Sequence, residues 1–387
     1  MNLAMHVALS VILAVRGLSA GVEAADIGAD PGGFVQESEK QSVDEAPAPW
    51  HSRIEVAVGA TAVLQGSTGA AGSHALDGSL SFDLELTAPV GDAGLFYSLL
   101  ETGTGDGIGS GIATLSGFNA AADDGFVVRL TEAWYQRTWP AQNLWLRVGK
   151  VDLSTDFDTN AVANSETEQF LSGGFVNNLA LEFPEDSGPG VMLWVTPSDR
   201  WALGAGVADA DADGDDLFGS PFAMAEISYR SGPAAREGNW RLYGWVHGGE
   251  HGALLDPERA AETNRGLGLS LDQQVSDATT LFARWGRQRG DLQQIETAWS
   301  LGLQHSCGEH GVFGLAYGRA VLGDDWKRSQ GSGVGSADDE SHLELYYSHR
   351  VDDNLTLTPD IQWVGAPGGD GQSGDVWAFG VRAQLAF

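Results

Sequence analysis

The chain has 387 residues, with 53 acidic and 21 basic side chains and a formal net charge of −32. A charge of that sign repels phosphate backbones and excludes nucleic acid as a partner. Mean hydropathy is −0.14, and no run of about 18 apolar residues follows the first segment, which excludes a helical membrane protein but not a transmembrane barrel.

Residues 1–24 read as a Sec signal peptide: an apolar stretch Leu9–Val15, then small residues and V-E-A, with cleavage after Ala24. Arg16 follows the apolar run and no basic residue precedes it, a departure from the usual pattern. Residues 25–52 carry six acids and one Lys and end on a Pro-rich APAP, so they are expected to be an acidic, disordered periplasmic lead-in. The only cysteine, Cys307, cannot form an internal disulfide, so the fold does not depend on oxidation.

From Arg53 to Phe387 the hydrophobic period is two, and glycine punctuates it. Sixteen strands are predicted, starting near residues 53, 75, 93, 126, 143, 188, 200, 222, 239, 264, 278, 295, 311, 341, 354 and 376. Most run about 9–12 residues, the length a tilted strand needs to cross a bilayer. Their connections alternate between short and long, as when turns face the periplasm and loops face outside. The predicted fold class is therefore all-β: a transmembrane antiparallel β-barrel of 16 strands, over 53–387, with a long inward-folded constriction loop. The expected location is the outer membrane of a Gram-negative bacterium.

Parity within strands supports this. Leu80, Phe82, Leu84 and Leu86 oppose Ser81, Asp83, Glu85 and Thr87, and Trp377, Phe379, Val381 and Leu385 oppose Ala378, Gly380, Arg382 and Gln384. The last strand ends on Phe387, which resembles the closing strand of bacterial outer-membrane barrels. One strand breaks the pattern: strict alternation puts Glu132 on the lipid face between Leu130 and Trp134, so a β-bulge is expected there.

The connection at 152–187 is too long for a structureless loop. The stretch 148–183 carries Asp152, Asp156, Asp158, Glu166, Glu168 and Glu182, together with the amides Asn160, Asn164, Gln169, Asn177 and Asn178. In a sixteen-stranded barrel such a loop can fold inward and narrow the pore. Inward parity is also expected for Arg129, Arg137, Arg147, Arg230, Arg241, Arg284, Arg319 and Arg382. Two readings of these arginines stay open: a transverse field facing the acidic loop across the pore, or lumen ion pairs with Glu85, Glu226, Asp272, Glu296 and Glu344. Trp145, Trp194 and Trp245 fall on lumen parity as well, either as stacking surfaces for a solute or as barrel packing.

The run Gly149-Lys150-x-Asp152, Phe157-Asp158-x-Asn160, Ala163-Asn164-Ser165-Glu166-x-x-Gln169-Phe170-Leu171 and Asn177-Asn178 resembles the carbohydrate-selective porin (OprB) family. So does YYSHRVDDNLTLTPDIQWVGAPGG at 346–369, and the resemblance covers most of 126–230 and 341–387. It implies passive diffusion of small saccharides through a loop-narrowed polar channel. Carboxylates and amides suit that solute, because each can bond two adjacent hydroxyls. The expected constriction residues are Asp152, Asp156, Asp158, Asn160, Asn164, Glu166, Glu168, Gln169, Arg129 and Arg147.

The alternatives are a general or cation-preferring diffusion porin without sugar specificity and, more remotely, an outer-membrane barrel enzyme. No nucleophile motif, phosphate loop or dinucleotide fingerprint occurs, and the scattered histidines show no metal-ligand spacing such as H-E-x-x-H, so neither enzyme chemistry nor a cofactor is expected. Asp209, Asp211 and Asp213 begin a D-x-D-x-D-G run, but Ser220 stands where a calcium loop needs a bidentate Glu, which leaves weak Ca²⁺ binding at most. Divalent cations held loosely at acidic external loops, outer-membrane lipid and lipopolysaccharide are the other expected partners. The sequence leaves monomer and homotrimer open.

Overall fold

The computed structural model describes residues 54–69, 76–123, 125–211, 219–233, 236–256, 258–260, 262–330 and 337–387. The expected signal peptide and acidic lead-in fall outside the described residues.

Sixteen antiparallel strands close on themselves, each paired to its sequence neighbour and β1 paired to β16. They are β1 (Glu55–Gly69), β2 (Leu76–Val90), β3 (Gly94–Thr104), β4 (Arg129–Trp139), β5 (Leu144–Val151), β6 (Gly188–Ser198), β7 (Trp201–Asp209) and β8 (Pro221–Ser231). The second half comprises β9 (Gly238–His251), β10 (Glu262–Ser276), β11 (Thr279–Gln288), β12 (Ile295–Ser306), β13 (Gly311–Leu322), β14 (Glu340–Arg350), β15 (Leu355–Gly365) and β16 (Val376–Ala386). Closure leaves no free sheet edge, so every strand can satisfy its backbone inside a membrane. At the seam, Phe387 and Val58 exchange two backbone hydrogen bonds of 3.0 Å.

Period-two patterning decides which face meets lipid. Leu84, Phe96, Val148, Leu193, Leu203, Ile227, Leu242, Leu267, Leu281, Leu301, Phe379 and Val381 are all exposed on the outer wall. An apolar surface on every side of a soluble protein would drive aggregation, so this belt belongs in lipid. Leu385 shares the outward parity of β16 yet is buried. At the short-turn end the tilted rings of Trp201 and Tyr229 pack at 4.7 Å, and the Arg137 guanidinium lies 5.5 Å from the Trp139 ring. That is an aromatic girdle at the interface.

The bulge expected in β4 lies at Thr131. Leu99 pairs with Glu132 and Leu100 with Leu130, so one β4 residue has no partner on β3. The slip restores Leu130 to the outside and turns Glu132 and Trp134 inward, where both are buried. It also reverses the expectation for Arg137, which is exposed on the outer face of β4. Arg319 is corrected too: even-numbered residues of β13 face in, and Arg319 reaches Asp339 at the loop rim at 3.3 Å.

Inside the barrel, two long connections fill much of the lumen. The 152–187 loop buries Phe157, Phe170, Leu171 and Phe175 against the wall. Each such side chain contributes about 1.5–3 kcal/mol on leaving water. The glycine-rich stretch 103–111 of the second connection, GTGDGIGSG, reads from sequence as a flexible extracellular loop. Instead Gly107–Gly111 forms a short 3-10 turn, and Ile108, Ile112 and Phe118 pack on Val364, Val376 and Ala378.

Candidate constriction site

Loop 152–187 is fixed by charged and polar side chains that point inward from at least seven strands. Arg284 on β11 donates to the carbonyls of Ala163 (2.5 Å), Phe175 (2.6 Å) and Asp158 (2.7 Å) and pairs with the Asp158 carboxylate at 3.3 Å. Arg382 on β16 donates to the carbonyls of Glu166 (2.8 Å) and Gln169 (3.0 Å). Glu344 on β14 accepts the Leu171 and Ser172 amides at 2.6 and 2.8 Å. Glu226 on β8 accepts the Asp158 amide at 3.1 Å, and Asp272 on β10 accepts the Ala161 amide at 3.3 Å while pairing with Arg241 on β9 at 2.7 Å.

These contacts explain why ionisable groups can sit in the lumen fully covered by protein. A loop folded into a barrel carries backbone groups that no sheet satisfies, and the wall supplies the missing donors and acceptors. Asp158 shows the economy of the arrangement. It is fully buried with a left-handed φ of 54°, which Asp tolerates better than most residues. Its amide, carbonyl and carboxylate are all engaged, the last also by the Asn178 amide at 2.9 Å.

The ten expected constriction residues therefore divide. Asp158 and Asn160 are buried pins; Asn160 donates to Ser270 Oγ (3.2 Å) and to the Leu271 carbonyl (3.1 Å). Asn164 and Gln169 close the loop on itself, with Gln169 Oε1 accepting the Asn164 amide at 2.7 Å. Arg147 pairs with Asp156, donates to Gln136 at 3.1 and 3.2 Å, and lies over the rings of Trp134 (3.9 Å) and Trp145 (5.0 Å). Arg129 stands exposed at the outer mouth and binds Asp123 at 2.5 Å. Of the ten, Asp152, Glu166 and Glu168 remain as partly accessible carboxylates, alongside Glu182, Glu185 and Asp186 further along the loop.

The wall facing those carboxylates was not foreseen. Asp83 on β2 and Glu101 on β3 are cross-strand partners, and both are half-exposed toward the lumen. Burial holds the Glu166 carboxyl above its ordinary pKa, and the negative charges of Glu101, Asp152 and Asp83 push the same way. Burial likewise raises Asp152, where its hydrogen bonds to Ser154 act in the opposite direction. Asp83, Glu101, Asp152 and Glu166 thus lie within electrostatic reach of one another. The arginines that sequence parity set opposite them, Arg241, Arg284 and Arg382, are buried beneath the loop instead. The two arginine readings resolve toward ion pairs and loop anchoring. Trp145, Trp194 and Trp245 likewise belong to a buried lumenal cluster with Phe157, Phe222 and Tyr243, so none offers an open face to a solute.

A family model for the carbohydrate-selective porins, OprB family, matches residues 67–387. The chain belongs to the OprB family. Among solved structures, the high-pH structure of Pseudomonas putida OprB superposes with a TM-score of 0.76 at 15% identity, over 87% of this chain and 95% of that one. An Rh. blastica porin variant superposes less well, with a TM-score of 0.52 at 12% identity over 86% of this chain and all of the other. Among curated proteins, an uncharacterized protein of Aquifex aeolicus is 25% identical over 217 residues. That match covers 56% of this chain and 58% of the relative, so the chain spans a little over half of that protein's length. OprB membership and the closed barrel indicate an outer-membrane channel rather than an enzyme.

Of the weak calcium candidates, Asp209 is buried at the end of β7, Asp211 lies at the mouth of a cavity, and Asp213 is outside the described residues.

Proposed function

We propose that this OprB-family barrel is a sugar porin of the Gram-negative outer membrane. Its constriction is the gap between the inward loop's Asp152, Glu166 and Glu168 and the wall residues Asp83 and Glu101. One observation carries the reading: Asp152 and Glu166 of the loop lie within electrostatic reach of the paired Asp83 and Glu101 on β2 and β3, and all four keep solvent-accessible surface. A neutral saccharide passes such a gap by exchanging water for carboxylate acceptors, each able to take two hydroxyl protons. The contacts are few and weak, as transport requires, because a solute must leave as easily as it enters. Tyr97 on β3, half-exposed and stacked on Trp134 at 4.8 Å, is the aromatic placed to meet a sugar ring near the gap.

For small ions the same gap favours cations, because no accessible row of arginines balances the acids among the described residues. This property accompanies sugar passage and does not replace it. Lipid and lipopolysaccharide surround the barrel in this reading, with divalent cations held loosely by acidic external loops.

Liposome swelling across a sugar series tests the proposal. Saccharides are expected to enter faster than neutral solutes of equal size that lack vicinal hydroxyls. Equal rates for size-matched solutes would reduce the protein to a general diffusion pore.

A further inference from the structure

The strand end at 247–251 reads His-Gly-Gly-Glu-His, a spacing without meaning for a metal on a regular strand. Residues four apart on a strand lie about 13 Å from each other. Here β9 is bulged: His251 pairs with Glu262 and His247 with Asn264, so four residues of β9 span two of β10. The fold-back brings the two imidazole rings to 5.1 Å between centroids. Gly249 makes the approach possible, since a Cβ there would lie 2.8 Å from His247 Cε1.

Glu182, from the C-terminal part of the inward loop, completes a cluster. One ligand atom from each of Glu182, His247 and His251 lies within 4.8 Å of the others, and all three residues are half-buried. The Glu182 carboxylate is oriented by two amides, with Gln293 donating to Oε1 at 2.9 Å and Asn264 to Oε2 at 2.6 Å. Such second contacts are what a metal-binding carboxylate requires.

The contacts of His251 supply an independent observation. Its Nδ1 lies 2.7 Å from the Gly249 carbonyl and 3.2 Å from the Glu262 carbonyl. Both neighbours are acceptors, so Nδ1 carries the ring proton. Its Nε2 then lies 2.8 Å from Glu182 Oε1, and in a neutral ring that places a lone pair against a carboxylate. A metal ion seated between Nε2 and the carboxylate would take both as ligands. A cavity of about 370 Å³ opens beside the cluster, lined by Glu182, Glu185, Asp186, Asp211 and His247 among others, and its carboxylates attract cations from outside.

We propose that Glu182, His247 and His251 bind a divalent transition-metal ion, and that the ion clamps the loop's C-terminal end to the outer end of β9. Two imidazoles and one carboxylate suit zinc-like ions over calcium or magnesium, which prefer all-oxygen shells. A tetrahedral ion with bonds of about 2 Å holds its ligands about 3.3 Å apart, so the cluster closes slightly on binding.

The test uses the untagged, chelator-stripped barrel, titrated with Zn²⁺ by calorimetry and with Co²⁺ by visible absorption. One saturable Zn²⁺ site is expected, together with the absorption bands of nitrogen-bound cobalt and no competition from Ca²⁺. His247→Ala and His251→Gln are each expected to weaken binding by at least about tenfold. His251→Gln can keep a hydrogen bond to Glu182, and heat-modifiable mobility confirms that each variant folds. Absent saturation, affinity unchanged in both folded variants, or equal competition by Ca²⁺ would each overturn the proposal.

Discussion

Arg284 on β11 and Asp158 in the inward loop form an ion pair at 3.3 Å in which neither side chain has any solvent exposure. The pair crosses from wall to loop, and the other Arg284 nitrogens hold the carbonyls of Ala163, Phe175 and Asp158. The loop is thus part of the barrel's interior packing, and the pore is what that packing leaves open.

Removing one partner of a buried pair strands the other charge. Asp158→Ala is expected to destabilise the seated loop by about 3–5 kcal/mol. Asp158→Asn keeps a side chain that tolerates the left-handed backbone and loses less. Limited proteolysis checks this: cleavage between residues 159 and 181 should accelerate strongly in the alanine variant and modestly in the asparagine variant. An alanine variant as resistant as the parent would detach loop seating from this pair.

In the proposed constriction the gap acids act on passing ions as well as on the loop's pH-dependent stability. A unit charge about 6 Å from an ion in water-like surroundings is worth roughly 0.7 kcal/mol, favourable to a cation and unfavourable to an anion, so it changes their permeability ratio up to about tenfold. Glu101→Gln and Glu166→Gln should each lower the K⁺ over Cl⁻ preference by about that factor, as read from reversal potentials in a salt gradient. Asp272→Asn, beneath the loop, should leave the ratio nearly unchanged.

The pH dependence follows from the raised carboxyls of the loop. Burial, with neighbouring acids, holds Glu166 above its ordinary range, and burial does the same for Asp152. An acid raised in the folded state favours the proton there. Its contribution to stability is complete below the unfolded value of about 4 and is lost as pH rises through the folded value. Cation preference should therefore begin to fall, as pH is lowered, above the ordinary carboxylate range, while protection of the loop against proteolysis increases. Glu166→Gln should flatten the upper part of that profile.

Much of the fold was legible because a barrel writes its geometry with period two. Every strand starts within three residues of its predicted place, and even the flaw at Glu132 correctly announced a bulge. What alternation could not give was the reach of side chains across the lumen. The Asp158 and Asn160 side chains are as polar as that of Glu166, yet only the folded loop decides that two of them are buried against the wall and one keeps solvent-accessible surface. Arg137 is misplaced when parity is counted across the β4 bulge, whereas β13 alternates regularly and Arg319 shares the outward parity of Phe313, Leu315 and Tyr317, so there the expectation misassigned the face. The Ile108–Phe118 segment was missed because its glycines masked three apolar residues that dock on β15 and β16. Asp83 and Glu101 were readable as lumen-facing, but their importance depends on which wall the loop leaves open.

Thiol accessibility tests the central claim most directly. Cys307, exposed in the turn after β12, is first replaced by Ser, and single cysteines are then placed at Glu101, Glu166 and Asn160. With the gap bounded by Glu101 and Glu166, a bulky methanethiosulfonate reagent should react quickly at both and cut single-channel conductance, whereas Asn160→Cys should stay unreactive in the folded barrel. Rapid labelling at 160, or labelling at 101 and 166 that leaves conductance unchanged, would place the constriction elsewhere.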